Sequence, residues 1–290
     1  MANAKALDKR RKSITNIRKI TRTMELVATA QFRRAMSRAL SADAYVERIA
    51  RLAAKLADSG ALASHPLLEK KTTKKNAVLF VLTSNRGMCG GYNGGVLRLA
   101  AARMAELDEE YDNIELFVVG KRGVSAMRFR GFEATRQFVD FDENPAYSEV
   151  LPLADDCLRR YKLGEIDRVD VVYTKFVSLA KQRPTVETLA PFTLRTESEK
   201  DAEGSSAEYD FLPSPRDVLE EIAPGAFRSK LFKCFLDASA SEQIARMTAM
   251  KAATENAEEM ISTLTSAYNR ERQMQITNEI AEVVGGASAL

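Results

Sequence analysis

The run Gly87-Met88-Cys89-Gly90-Gly91-Tyr92-Asn93-Gly94-Gly95 holds the residue types most able to do chemistry here. A glycine-rich loop between a strand and a helix can point backbone N–H groups at a phosphate. A Walker-type loop, however, needs Lys and then Ser or Thr after its last glycine, and Val96 and Leu97 follow Gly95. No choice of these glycines yields G-x-G-x-x-G either, so the dinucleotide fingerprint fails as well. The remaining reading is conformational: glycines that permit left-handed turns and close packing. Hydrolytic chemistry has as little support. His65 is the only histidine and precedes Pro66 in an expected loop, so a Ser or Cys nucleophile has one base to draw on. Cys89, Cys157 and Cys234 lie far apart without a C-x-x-C pair, which argues against a zinc site and for small buried hydrophobes. No pair of carboxylates stands out from the ordinary surface acids. The sequence therefore offers no catalytic residues, no metal ligands and no cofactor site.

The elements around that loop are unusual. Neither Gly nor Pro occurs from Met1 to Ser59, or from Ala226 to Val284, and each stretch predicts a helix of roughly 85–90 Å at about 1.5 Å per residue. Helices of that length point to a membrane span, a repeat or a coiled coil. No segment approaches about 18 consecutive apolar residues, and no repeat is found, which leaves the coiled coil. Ala28, Phe32, Ala35, Ala39, Ala42, Val46, Ile49, Ala53 and Leu56 alternate steps of four and three. Ile17, Ile20, Met24 and Val27 form a similar, offset seam, a change of register. Met247, Met250, Thr254, Ala257, Ile261, Leu264 and Tyr268 keep the same rhythm at the other end. Helices at opposite ends of one chain pair antiparallel if the middle folds back between them.

The expected organisation is a coiled-coil helix over 1–59, an α/β domain over 76–192, a linker with a short helix over 193–225 and a second coiled-coil helix over 226–290. In the middle domain Val78 to Leu82, Leu116 to Val119 and Val169 to Tyr173 are short apolar runs suited to a buried, mostly parallel sheet. Val96 to Leu107 and Ser148 to Leu163 have helical spacing, and Pro152 is placed near the first turn of the latter. Thr185 to Leu189, bracketed by Pro184 and Pro191, predicts an edge strand. Glu197 to Glu208 is acidic and reads as a solvated linker; Ser214 and Pro215 open a short helix that should stop before Pro224. The fold class is thus α/β, a long antiparallel coiled coil plus a Rossmann-like domain.

Net charge is +3, but it is uneven. Through Leu40 the cations Lys5, Lys9, Arg10, Arg11, Lys12, Arg18, Lys19, Arg22, Arg33, Arg34 and Arg38 face only Asp8 and Glu25. Such a basic helix can neutralise nucleic-acid phosphates. It is poor in aromatics, though, and shares its surface with an apolar seam, so acidic protein loops are the competing partner. The basic N-terminus lacks a compact apolar block, which argues against a secretory signal.

Several ordered segments carry a resemblance. ITNIRKITRTMELVATAQFRRA, LTSNRGMCGGYN, YTKFVSLAKQRPTVETLAPF, FLPSPRDVLEEI, SEQIARMTAMKAATENAEEMI and YNRERQMQITNEIAEVVGGASAL together resemble the gamma subunit of F-type ATP synthases over nearly the whole chain. Gln31 stands where that family commonly has lysine and Asn85 where it commonly has aspartate. The cysteine-bearing insertion of chloroplast members is missing. The resemblance implies a non-catalytic central-stalk rotor. Its long helices would turn inside a ring of alpha and beta subunits, with the α/β domain gripping epsilon and the membrane c-ring, at the cytoplasmic face of a bacterial inner membrane. No nucleic acid and no small-molecule substrate are implied. Arg272 and Gln273 match a family pair that engages a beta loop. Met24, Arg33 and Arg34 are implied as further contacts to beta, and the last residues, with Val283, Val284 and Leu290, as an apolar bearing tip.

Overall fold

The computed structural model describes residues 2–58, 67, 74–141, 144–191 and 214–288. His65, the linker over 197–208 and Leu290 lie outside the described residues. The elements run α1 (Ala2–Asp58), β1 (Asn76–Leu82), α2 (Tyr92–Glu110), β2 (Asn113–Val119), α3 (Lys121–Phe129), β3 (Arg136–Phe138), α4 (Tyr147–Lys162), β4 (Arg168–Ser178), β5 (Lys181–Ala190) and α5 (Pro215–Ser288). They divide into two compact units, Met1–Thr29 with Arg246–Leu290, and Ala30–Ala245.

The first unit is a pair of helical segments. Arg11 sits over the Tyr268 ring at 5.2 Å, Arg18 lies 3.7 Å from Glu258, and Thr254 Oγ1 donates to Thr21 Oγ1 at 2.8 Å. Partners descend along α5 as residues ascend along α1, so the segments are antiparallel. On α5 the expected seam is the inner face: Met250, Thr254 and Ala257 are buried, while Met247, Ile261, Leu264 and Tyr268 are half-buried. On α1 the main expected seam is buried at Ala28, Ala35, Ala39 and Ile49, and only the offset seam before it needs correction. The inner face is Leu7, Ile14, Arg18, Thr21 and Ala28, whereas Ile17, Ile20 and Val27 are exposed, Ile20 by 59%. At 100° per residue this apolar stripe lies about a quarter turn from the seam. Two features hid the register: a threonine pair that satisfies its own hydroxyl inside the seam, and an arginine that buries its stem while its head reaches Glu258. Thr21, Ala28, Thr254 and Ala257 let the backbones approach closely at their levels, while Ile17, Ile20 and Val27 face outward.

The second unit holds a five-stranded sheet in the order β3-β2-β1-β4-β5. The first four strands are mutually parallel and β5 is antiparallel to β4. β1 is buried along nearly its whole length because both faces are covered. Val78, Phe80, Phe117, Val171 and Tyr173 point to one core, with Cys157 and Leu158 of α4 and Phe227, Leu231 and Cys234 of α5. Leu79, Val81, Leu116, Val118 and Val172 point to the other, with Val96, Leu97 and Ala100 of α2 and Met127 of α3. The Pro-bracketed run Thr185 to Leu189, expected at the sheet edge, belongs to β5, and Pro184 sits opposite Thr174 on that edge.

Two prolines behave differently from the sequence expectation. Pro152 is the sixth residue of α4 rather than in its first turn, and Pro224 lies inside α5 rather than after a short helix. Each removes one helical hydrogen bond at a cost of about 3 kcal/mol. Burial on both sides offsets it. Val150, Leu153 and Ala154 flank Pro152 in the core, and Ala223, Ala226 and Phe227 flank Pro224. The start of α5 is as expected, with Ser214 Oγ accepting from Asp217 N–H at 3.2 Å.

Candidate partner-contact surfaces

The glycine loop between β1 and α2 spends its polar groups on itself. Ser84 N–H donates to Asn93 Oδ1 at 3.0 Å, and Asn93 Nδ2 donates back to Ser84 Oγ at 2.7 Å. Ser84 Oγ donates to the Arg86 carbonyl at 2.6 Å. Tyr92 Oη donates to the Ala238 carbonyl at 3.1 Å, tying the loop to α5. Gly95 is close-packed: a Cβ there would stand 2.8 Å from Pro184 Cγ. A cavity beside the loop, lined by Leu82, Asn85, Tyr92, Phe141 and Phe235, has a volume of about 50 Å³. Small-molecule sites run to about 300–1,000 Å³, so this one holds a water or two and no nucleotide.

Asn85 has a definite job in this chain. Its Oδ1 accepts from Lys121 N–H at 3.0 Å, and its Nδ2 donates to the Phe141 carbonyl at 2.9 Å. An aspartate would keep the first bond and set a carboxylate oxygen against the Phe141 carbonyl. Gln31 is also engaged, its Oε1 accepting from Asn144 Nδ2 at 2.7 Å. Cys89, Cys157 and Cys234 are all buried. Burial pushes the Cys157 thiol up to about 12 and the Cys234 thiol up as well, which makes both unreactive near neutral pH.

One buried carboxyl is a cost to the fold. Asp237 on α5 is 2% exposed, Lys233 approaches only to 3.8 Å, and Asp237 Oδ2 accepts no hydrogen bond. Burial outweighs the pull of Lys233 and of Lys175 on β4, and Glu187 on β5 opposes them, so Asp237 rises to about 6. A folded-state value above the unfolded value, about 3.9, means that this group's stabilisation is fully present below pH ~4. It is then lost as pH rises through ~6, by about 3 kcal/mol in all at 1.36 kcal/mol per unit. Asp237→Asn should therefore flatten urea stability between pH 4 and 6 and raise it by about 1–3 kcal/mol at pH 7. Unfolding curves at those pH values check this; a steeper slope in the variant would contradict it.

The residues implied as partner contacts are spread over both units. Arg272 and Gln273 are adjacent and exposed on α5, in the first unit. Met24, half-buried on α1, belongs to the same unit but is not beside them. Thr21 is level with Thr254 and Arg11 with Tyr268, which puts Met24 about 30 Å along the rod from Arg272 at ~1.5 Å per residue. Arg33 and Arg34 are exposed on α1 in the second unit. Val283 and Val284 are exposed near the end of α5, Val283 by 72%.

Sequence reasoning missed part of this surface. Met260, Met274, Ile276 and Ile280 are exposed on α5, as are Ile17, Ile20, Leu26 and Val27 on α1. Extending the antiparallel register places Ala2 level with roughly residue 277 at ~1.5 Å per residue on both helices. Ile280 and Val283 lie beyond that level on α5. The available signal was an excess of large apolar residues over what one small-residue seam can bury. Ile17, Ile20 and Val27 share one face of α1, and an exposed apolar face of this kind is the mark of a contact surface for another protein.

The family model described as ATP synthase matches residues 3–290. The ATP synthase gamma chain of Rhodopirellula baltica is 53% identical over 294 residues, covering 100% of this chain and 99% of that protein. The gamma chain of Desulfitobacterium hafniense is 37% identical over 290 residues, covering 100% of both. Among solved structures, the rotor of the Euglena gracilis mitochondrial ATP synthase has a TM-score of 0.64 at 18% identity, covering 95% of this chain and 99% of that one. The central stalk and c-ring structure from Tetrahymena thermophila has a TM-score of 0.57 at 20% identity, covering 81% and 99%. Large apolar side chains turned outward from a thin helical pair, and homology along the whole length, place the chain in the ATP synthase gamma-chain family.

Proposed function

We propose that the chain is the rotating central shaft of an F-type ATP synthase and transmits torque without catalysing a reaction itself. The observation that carries this reading is the arrangement of side chains in the first unit. Thr21, Ala28, Met250, Thr254 and Ala257 are buried in the inner seam, while Ile17, Ile20, Val27, Met274, Ile276 and Ile280 are exposed. A rod built this way has more apolar surface to offer neighbours than it uses on itself. Alpha and beta subunits would surround it and carry the catalytic sites. Epsilon and the membrane c-ring would hold the α/β unit at the cytoplasmic face of the membrane. No described helix is long and apolar enough to cross a membrane, in keeping with attachment through the complex. No cofactor is required by this role.

Arg272 suits a coupling contact because a guanidinium can hold a carboxylate through two parallel hydrogen bonds, and Gln273 can add a third from the next position. Met24, Arg33 and Arg34 would meet beta at other levels, and Val283, Val284 and Leu290 would turn in the apolar bearing. Coexpression with the cognate alpha and beta subunits should give a complex with strong ATPase activity, while the chain alone hydrolyses nothing. Failure to assemble would overturn the reading. In the assembled complex, Arg272→Ala with Gln273→Ala should lower coupled turnover about 10- to 100-fold, equivalent to about 1.4–2.8 kcal/mol. Melting of the isolated chain should be unchanged. Unaltered ATP synthesis would remove these two residues from the contact.

A further inference from the structure

Asp237 sits where α5 rests on β4 and β5. Val171, Tyr173 and Lys175 share one face of β4 by the two-residue period of a strand, and Val171 and Tyr173 pack with Phe227, Leu231 and Cys234 of α5. Glu187 of β5 is paired with Val171, so it shares that face. On α5 the residues Lys230, Cys234, Asp237 and Ser241 follow steps of four, three and four, which puts them on one side of the helix. Lys230 Nζ fastens helix to strand, 2.7 Å from Glu187 Oε1 and donating to the Thr188 carbonyl at 3.3 Å.

Two polar atoms on this side of α5 are left over. Asp237 Oδ2 and Ser241 Oγ, one helical turn apart, have no hydrogen-bond partner, and their residues are 2% and 0% exposed. Lys233 on α5 and Lys175 on β4 draw on the Asp237 carboxyl, and Glu187 on β5 opposes them. Lys233 Nζ stops at 3.8 Å from Asp237, beyond the reach of about 2.7–3.2 Å that a hydrogen bond requires. Tyr173 and Cys234, the other titratable neighbours, are kept protonated by burial. In the same unit α1 buries Ala35 and Ala39 and leaves Arg34 and Arg38 exposed. A protonated carboxyl tolerates such a place. A carboxylate needs donors that the closed arrangement does not bring to it. We propose that Asp237 is a proton latch between α5 and the β4–β5 pair: its neutral carboxyl lets the helix lie closed on the strands, and loss of the proton to solvent draws Lys175, Lys233 or water to the carboxylate and loosens the seat. Ser241 Oγ is placed to share water admitted there. With Asp237 raised to about 6, the latch is closed in mild acid and open in mild base. It belongs to the chain itself and stands apart from the rotor reading; a shaft working through α5 would be held more firmly in acid.

Amide hydrogen exchange of the full-length chain is the test. After correction for the intrinsic pH dependence of exchange, amides of α5 around Asp237 and of β5 around Glu187 should exchange about tenfold faster at pH ~7.5 than at pH ~5. That ratio follows from a carboxyl at about 6 in the closed form and ~3.9 in the open one. Amides of β1 and β2 should not follow, because the opening is local. In Asp237→Asn the pH difference should vanish. Infrared difference spectra between the two pH values should show the loss of a protonated carboxyl band that the Asp237→Asn chain lacks. The midpoint of that loss should rise in Lys175→Met and fall in Glu187→Gln. Equal exchange at both pH values, a change shared by β1 and β2, or an undiminished pH difference in Asp237→Asn overturns the latch. A midpoint unmoved in both strand variants does so too. None of these results bears on assembly with alpha and beta, which tests the rotor reading separately.

Discussion

Ile20→Asp combined with Val27→Asp should abolish assembly with alpha and beta while leaving the isolated chain folded. Both side chains are exposed on α1 and neither belongs to the inner seam, so the free chain should change by less than about 0.5 kcal/mol per site. In an assembled ring the same residues would be desolvated. An unpaired carboxylate in the dry centre of an interface costs about 2–5 kcal/mol, and two of them weaken association by at least a thousandfold. The contrast with the seam makes the test specific. Ala28→Asp would bury its charge between α1 and α5 and unfold the rod itself, whereas the Ile20 and Val27 changes separate docking from folding. Pull-down with alpha and beta, read beside circular dichroism of the free chain, measures both. Wild-type assembly in the double variant would show that the stripe faces solvent in the complex.

Gly120→Ala should cost at least about 4 kcal/mol and unfold the α/β unit at ordinary temperatures. Gly120 links β2 to α3 at φ 94°, a conformation that L side chains rarely adopt. A Cβ at that position would lie 2.3 Å from the Thr83 carbonyl oxygen and 2.7 Å from its carbon. These are backbone atoms in the turn after β1, and Thr83 N–H and Oγ1 both donate to the Val119 carbonyl, at 2.9 Å and 2.6 Å. Relief therefore requires breaking the junction of β1 with β2. Loss of the near-ultraviolet signal with retained helical signal is the expected result. A variant that melts within a few degrees of the wild type would contradict the packing argument.

Much of this architecture could be read from residue order because the signals were long and local. Two runs free of Gly and Pro gave the long helices, and three β-branched runs gave the parallel core. β3 was missed because Arg136, Gln137 and Phe138 have no apolar periodicity; parallel pairing with β2 makes them a strand. α3 was missed because Gly123 interrupts a short segment. Its missing Cβ is a packing requirement, since one would stand 2.3 Å from Thr83 Oγ1. Ahead of the main α1 seam, which is buried at Ala28, Ala35, Ala39 and Ile49, the offset seam was assigned to the wrong stripe for a more general reason. Apolarity alone cannot tell a side chain buried within the chain from one reserved for a neighbour, and Ile17, Ile20 and Val27 have the spacing of either. The roles of Arg272 and Gln273 came from resemblance, to which the structure adds that both are exposed and adjacent.

The shaft account is tested most directly by watching the chain turn. With alpha and beta fixed to a surface and a bead attached through Glu109→Cys, an exposed position at the end of α2, ATP should drive rotation in one direction that stops when ATP is exhausted. A bead that stays bound yet shows only undirected wobble, while the fixed complex continues to hydrolyse ATP, would contradict the account.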